Sequence, residues 1–149
     1  MDYGSDAATG YALEDLYKSL GSLPSKSVTI FLDACFSGAK RDGDMLASAR
    51  GVAIKTRPTA PIGNMVVFTA AQGDETAYPY KEQEHGLFTY YLLKKLQETK
   101  GDVTLGELGD YIKTQVERQS VVTNSKLQSP SIMATSSVGN DWRSWKLNQ

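Results

Sequence analysis

The chain has 149 residues, of which 40% are hydrophobic and 22% charged, and its formal net charge is −1. These values are typical of one globular domain, and the small net charge argues against nucleic acid or an acidic membrane surface as a partner. A single cysteine excludes an intrachain disulfide and a cysteine-rich metal site, and no apolar run reaches the roughly 18 residues needed to cross a bilayer.

The first part of the chain predicts a helix followed by a buried strand. Residues 1–10 have the composition of a loop, and apolar residues then recur at helical spacing over 13–20 until a glycine and a proline end the helix. The run Val28–Leu32 is apolar and rich in β-branched residues, which is typical of a strand buried on both faces of a parallel sheet. A helix followed by a buried strand is half of a βαβ unit, so we expect a partner strand upstream of Met1.

Residues 39–63 form a long connection without a sustained period. Connections of this length inside compact domains are usually functional or disordered. The segment carries five basic residues, Lys40, Arg41, Arg50, Lys55 and Arg57. For most of these charges the simplest interpretation is a solvated surface loop.

A second buried strand and two further helices follow the long connection. The strand is predicted over 65–71, and helical spacing begins again at Gly86. Gly101 fits the carboxyl-terminal cap of that helix. Thr104 and Glu107 have the spacing of a capping box at the start of the next one.

The end of the chain predicts a last strand and a packed tail. Residues 120–128 have the pattern of a polar connection, and 131–135 that of a short strand. Trp142 and Trp145 are expected to pack the tail onto the domain. The order helix, strand, connection, strand, helix, helix, strand predicts an α/β layered domain.

The candidate functional residues follow the first strand directly. Asp33 and Cys35 lie in a tight turn of small and polar residues at its carboxyl end, the edge at which open α/β sheets bind ligands. They point to the same side, about 6.6 Å apart, because side chains alternate along a strand. A carboxylate at that distance disfavours a thiolate, so Asp33 is better placed to attract a cationic group on a substrate than to activate Cys35. The alternatives are that Asp33 holds the turn through backbone N–H groups and that Cys35 is an inert core residue.

His85 is the only histidine of the chain. A cysteine nucleophile needs a base, most often histidine, so a Cys35–His85 dyad can be considered. His85 follows a run of polar residues at a helix start, where histidine is usually a surface or capping residue. We therefore do not expect this dyad.

The segment 33–38, Asp-Ala-Cys-Phe-Ser-Gly after a hydrophobic strand, resembles the nucleophile motif of caspase-like cysteine peptidases, particularly bacterial caspase-domain proteins and metacaspases. Phe36 stands where metacaspases have histidine, so the bacterial caspase-domain proteins are the better match. The resemblance continues through four further stretches, the last of them just before the last strand: 68–71, 74–77, 85–93 and 128–130.

The resemblance implies a caspase-like layered fold, with a mostly parallel sheet flanked by helices, in which 1–149 is the carboxyl-terminal portion of the catalytic domain. It implies that Cys35 is the nucleophile that forms an acyl-enzyme and that its backbone N–H helps to bind the oxyanion. Asp33 matches the acid that lines the S1 pocket in the arginine- or lysine-specific branch. His85 matches a helix-start histidine, and the catalytic histidine, which the family carries in a Ser-Gly-His-Gly element, would lie upstream of Met1.

The resemblance also sets the expected partners and cofactors, which include a polypeptide substrate but no nucleic acid and no membrane. We expect the upstream part of the domain, or a second copy of the chain, to pair along Val28–Leu32, because an uncovered apolar edge is a pairing liability. Asp42 falls near one carboxylate ligand of calcium-activated metacaspases, but the other ligands would lie upstream, so we predict no metal site and no cofactor and leave activation by calcium as an open alternative. With an acidic S1 pocket, the connection 39–63 becomes a candidate for self-processing, at Lys40, Arg41, Arg50 or Lys55.

Two rival interpretations come from other functional classes. One is a catalytically inactive caspase-like module that acts as an interaction or scaffold domain, with Cys35 as a buried remnant. The other is an unrelated flavodoxin-like binding domain, which no G-x-G-x-x-G phosphate loop supports. The sequence carries no signal for a compartment.

Overall fold

A computed structural model describes residues 12–34, 60–73 and 75–148. Cys35, Asp42 and the greater part of the long connection lie outside the described residues. Three helices and five strands are described: α1 Leu13–Gly21, β1 Val28–Leu32, β2 Met65–Thr69, β3 Pro79–Tyr80, β4 His85–Gly86, α2 Leu87–Thr99, α3 Leu105–Asn124 and β5 Ser131–Ala134. Two short 3-10 helices lie at Lys81–Gln83 and Asp141–Ser144.

The central sheet has the strand order β1-β2-β5. β1 runs parallel to β2, with Val28 opposite Met65 and Leu32 opposite Thr69. β5 runs antiparallel to β2, so the described sheet is mixed. The α/β class, the parallel pairing of the first strand and the short last strand predicted from the sequence are all confirmed.

The helices cover both faces of this sheet, and alternation along the strands decides which residues meet which helix. On one face, Tyr17 of α1 packs with Ile30, Met65 and Val67. On the other face, Val66 and Phe68 belong to the larger cluster formed with α2 and α3. All five residues of β2 are buried because the strand has a neighbour on each side and helices above and below. Among the described residues, no helix is long and apolar enough to cross a bilayer.

Two local predictions need correction. The polar connection predicted over 120–128 begins later, because α3 continues to Asn124. Ser120 is fully buried, and its hydroxyl donates a hydrogen bond to the carbonyl of Glu117. The helix can therefore continue through this polar residue. The two-residue strands β3 and β4, which pair antiparallel, were not predicted, since they are too short to show a periodic pattern.

The capping box at the start of α3 is confirmed. The Thr104 hydroxyl accepts the backbone N–H of Glu107 at 3.2 Å, and the Glu107 carboxylate accepts the N–H of Thr104 at 3.1 Å. The N–H and the hydroxyl of Thr104 both donate to the Glu107 carboxylate, and these two bonds hold the pKa of Glu107 below its usual range. The tail also packs as expected, with Trp142 buried and edge-on to Phe68 at 5.8 Å between ring centroids.

The cap yields a test of the fold. Replacing Thr104 by Ala should lower the free energy of unfolding by about 1 kcal/mol at neutral pH, because an N-cap acceptor is lost. Glu107 contributes fully above its ordinary pKa, and its contribution disappears as the pH falls through its lowered folded value. The difference between wild type and variant should therefore shrink on acidification. Urea unfolding across pH measures both effects.

Thr114→Ala is the matched control, because Thr114 is an exposed residue of the same helix whose hydroxyl donates to the carbonyl of Asp110. This change should be neutral or slightly stabilising, since alanine is the better helix former. Equal losses for the two variants would contradict a specific role of the cap.

Candidate active site

Asp33 lies at the carboxyl end of β1, where the sequence places it. The end of β1 is tied to the end of β2 by a bond from the N–H of Ala70 to the carbonyl of Leu32, 2.9 Å long. Alternation puts Asp33 on the same face as Phe31, which packs against Phe68 beneath α2 and α3. Asp33 is half-buried. Cys35, its proposed neighbour in the motif, is outside the described residues.

The Asp33 carboxylate is held on the first turn of α2. The Thr89 hydroxyl donates to Asp33 Oδ2 at 2.6 Å, a length typical of a charge-assisted hydrogen bond. The same oxygen lies so close to Gly86, the N-cap of α2, that any Cβ there would collide with it. The amino-terminal end of a helix carries partial positive charge and stabilises a carboxylate in this position. The direction of the Asp33 side chain is therefore set by α2.

His85 is exposed and belongs to β4, directly before Gly86. A side chain built on Gly86 would point at Asp33. Because successive residues of a strand point to opposite faces, the His85 side chain points away from Asp33. This geometry argues against His85 as a base for chemistry beside Asp33.

The loop that leaves β2 next to Asp33 is held by Gln128, which is fully buried. Gln128 Nε2 donates to the carbonyl of Ala70 and Oε1 accepts the N–H of Tyr78, each at 2.8 Å. The backbone N–H of Gln128 donates to the Ser120 hydroxyl at 2.9 Å. One side chain before β5 thus joins both ends of the loop and is itself tied to α3.

Glu75 fixes the middle of the same loop. Its carboxylate accepts the backbone N–H of Ser129 at 2.6 Å and the Ser129 hydroxyl at 3.0 Å. The N–H of Gln72 adds a longer bond of 3.3 Å. The loop is therefore braced against the segment before β5 at three points along its length.

Tyrosines anchor the β3–β4 ribbon to the helices. Tyr80 of β3 meets Tyr90 edge-on, with ring centroids 5.1 Å apart, and Tyr91 meets Tyr111 of α3 at 6.2 Å. Burial, followed by smaller effects of the neighbouring tyrosines, raises the pKa of Tyr91 above its usual range. The ribbon that presents Gly86 to Asp33 therefore has an aromatic support.

Sequence reasoning singled out Asp33 as a candidate but missed the residues that orient its side chain. Thr89 lies 56 positions away from Asp33 and looks like an ordinary polar residue in a helix. Gly86 was read only as a helix start, although a glycine at that position can also signal close approach of another group. Within the described ranges 12–34, 60–73 and 75–148, no group of three or more His, Asp or Glu side chains is arranged to hold a metal ion.

The fold and this edge define a class of protein: an α/β domain that presents an acidic residue at the carboxyl end of a parallel strand, with a cysteine two positions later in the sequence. The family model of the caspase domain matches residues 3–139. The chain therefore belongs to the caspase domain family and is, in general terms, a cysteine-peptidase domain. No curated protein and no solved structure matches it.

The Thr89–Asp33 contact can be tested by an isosteric change. Thr89→Val replaces the donor hydroxyl by a methyl group and should lower the free energy of unfolding by roughly 1.5 to 3 kcal/mol, as is usual for loss of a hydrogen bond to a charged group. Thr99→Val on the same helix is the control, because the Thr99 hydroxyl donates only to the carbonyl of Lys95 one turn earlier. Chemical denaturation should show a larger loss for Thr89→Val, and equal losses would rule out a special role for the Asp33 contact.

Proposed function

We propose that the protein is a cysteine endopeptidase in which Cys35 is the nucleophile and Asp33 selects arginine or lysine at the cleaved bond. Membership of the caspase domain family supports the reaction class. The observation that carries the specificity is the half-buried Asp33 carboxylate, fixed by Thr89 two residues before Cys35. In the sequence, Cys35 follows Asp33 by two positions, the spacing at which the side chains of an extended segment share a side.

The proposed reaction proceeds through an acyl-enzyme. The Cys35 thiolate attacks the carbonyl carbon of the substrate, and the Cys35 backbone N–H stabilises the resulting oxyanion. The bond to the leaving amine then breaks as a histidine base returns its proton to the nitrogen. Water hydrolyses the thioester and regenerates the thiol. We propose that this histidine belongs to a segment outside the 149 residues, because His85 points away from Asp33.

In this scheme Asp33 acts on the substrate and not on the thiol. A carboxylate close to a sulfur disfavours the thiolate, so Asp33 does not serve to activate Cys35 in this scheme. An arginine side chain can form two parallel hydrogen bonds to a carboxylate, and a lysine can form a simple ion pair. A substrate with Asp at the cleaved bond would be repelled. The same preference would make Lys40, Arg41, Arg50 and Lys55 candidates for self-processing.

We also propose that the free edge of β1 pairs with another strand, from the amino-terminal part of the catalytic domain or from a second copy of the chain. Within the described ranges, β1 pairs only with β2. The N–H of Val28 donates to Asn64, and the carbonyl of Leu32 accepts from Ala70. Backbone groups alternate along a strand, so those of Thr29 and Phe31 face outward. An apolar strand with such an edge is a template for pairing.

The specificity proposal is tested with fluorogenic peptides in the full-length protein. Asp33→Asn keeps an acceptor for Thr89 but removes the charge, so kcat/KM for Arg and Lys peptides should fall about 100-fold, as expected for a cation left without its partner. A matched peptide with a neutral norleucine at the cleaved bond should be nearly unaffected. Cys35→Ala should abolish cleavage of every peptide.

Asp15→Asn is the control, since Asp15 is an exposed acid on α1. An Asp33→Asn enzyme that still prefers Arg and Lys would refute the assigned role of Asp33. A wild-type protein that cleaves none of the peptides would favour the inactive module.

The edge proposal is tested by amide hydrogen exchange of the full-length protein. Thr29 and Phe31 should exchange as slowly as Ile30, whose N–H faces β2 by the same alternation. Protection that depends on protein concentration would indicate a second copy, and protection in the monomer a segment of the same chain. Fast exchange at Thr29 and Phe31 beside a protected Ile30 would show that the edge is bare.

A further inference from the structure

Only one orientation of the Gln128 amide allows both of its hydrogen bonds. The amide nitrogen donates to the carbonyl of Ala70, and the amide oxygen accepts the N–H of Tyr78. If the amide were flipped by 180°, its oxygen would face the Ala70 carbonyl and its nitrogen the Tyr78 N–H, so both bonds would be lost. Because Ala70 and Tyr78 are the two ends of the loop after β2, this amide fixes the distance between them.

Tyr78 passes this constraint on to Asp33. The carbonyl of Tyr78 accepts the N–H of Leu87, the first residue of α2, at 3.0 Å. Gly86 directly precedes Leu87, and it is against Gly86 that the Asp33 carboxylate rests. A continuous path of contacts therefore runs from the amide of Gln128 through Tyr78 to the start of α2 and to Asp33.

Gln128 is also held from the opposite side. Its backbone N–H donates to the Ser120 hydroxyl, which in turn donates to the carbonyl of Glu117 in α3. The side chain is unexposed and Ser120 is unexposed as well. The backbone of Gln128 is thus anchored to α3, and its side-chain amide holds the loop from there.

We propose that Gln128 is a positioning residue of the active site, which holds Tyr78 and, through the start of α2, the surface on which Asp33 rests. The inference rests on the proposed function, because only a peptidase gives Asp33 a substrate to select. Gln128 itself touches no substrate in this scheme. Its loss should weaken binding of Arg and Lys substrates, seen as a higher KM, more than it slows the chemical step.

Gln128→Glu tests the proposal in the full-length protein, because a neutral carboxyl group can donate to Ala70 and an ionised one cannot. Burial disfavours the charged form, so the neutral form should return on moderate acidification. At about pH 8 a carboxylate oxygen faces the Ala70 carbonyl with no proton between them, and this repulsion should displace the side chain and weaken its hold on the Tyr78 N–H. We then expect KM for an Arg peptide to rise about tenfold and the Tyr78 amide to exchange about tenfold faster. Expressed as ratios to wild type at the same pH, both should return towards one at about pH 5.5.

The titratable residues bonded to Gln128 or to its neighbours Ser120 and Ser129 are Glu75, whose carboxylate binds Ser129, and Tyr78 and Glu117, which take part through backbone groups. All are present in wild type and variant, so the pH dependence that they cause without a charge at position 128 is common to both and is removed by the ratios. Gln97→Glu, at an exposed position of α2, is the control and should show no pH-dependent change in either quantity. If Gln128→Glu unfolds at the higher pH, Ser120→Ala decides instead, because it loosens the backbone of Gln128 and should raise KM and Tyr78 exchange by smaller factors.

Three results would overturn the proposal. Unchanged Tyr78 exchange would show that the amide does not hold the loop. Faster Tyr78 exchange with unchanged KM would reduce Gln128 to a structural residue. Absence of cleavage by the wild type would refute the proposed function and this inference with it, and the exchange data, which need no turnover, would still show whether the amide holds the loop.

Discussion

The Asp33 carboxylate can rest on the first turn of α2 only because the N-cap residue there, Gly86, has no side chain. This close approach joins the sheet to the helical layer, since Asp33 follows the edge strand β1 and Gly86 begins α2, the helix that packs on the face to which Asp33 points. The Thr89 hydroxyl, in the same first turn of α2, completes the contact. The β3–β4 ribbon, the tyrosines beneath it and the loop after β2 all act to keep Gly86 in this place. The direction of the Asp33 side chain is therefore set by packing between the sheet and α2, and not by the residues next to Asp33 in the sequence.

Much of the fold could be predicted because its signals are local. The apolar runs that form β1 and β2, and the spacing of Thr104 and Glu107, are visible within a few residues and need no knowledge of the rest of the chain. The same locality explains the errors. The end of α3 depends on Ser120 facing the core, and the β3–β4 ribbon depends on its tertiary surroundings, so neither could be predicted from a short window.

The site was predictable in part for the same reason. The position of Asp33 follows from the end of a strand, but the residues that orient it come from distant parts of the chain. Thr89 is 56 residues from Asp33, and Gln128 is 58 residues from Ala70 and 50 from Tyr78. No periodicity links such pairs. In the sequence, Gln128 stood out only as part of a stretch that resembles the family. The structure shows what this residue does, since its amide binds Ala70 and Tyr78.

The helix contact affects the proposed specificity in two opposite ways. Partial positive charge at the start of α2 lowers the attraction of Asp33 for a cation, an effect worth about 0.3 to 1 kcal/mol. A close pair between Asp33 and a substrate cation is worth about 1.5 to 7 kcal/mol, so the attraction prevails. Holding the carboxylate in one direction also removes about 0.5 to 1.5 kcal/mol of ordering cost from substrate binding. The reduced ordering cost offsets the weakened attraction. In the proposed scheme, a carboxylate held by Thr89 beside Gly86 therefore binds arginine better than a mobile carboxylate would.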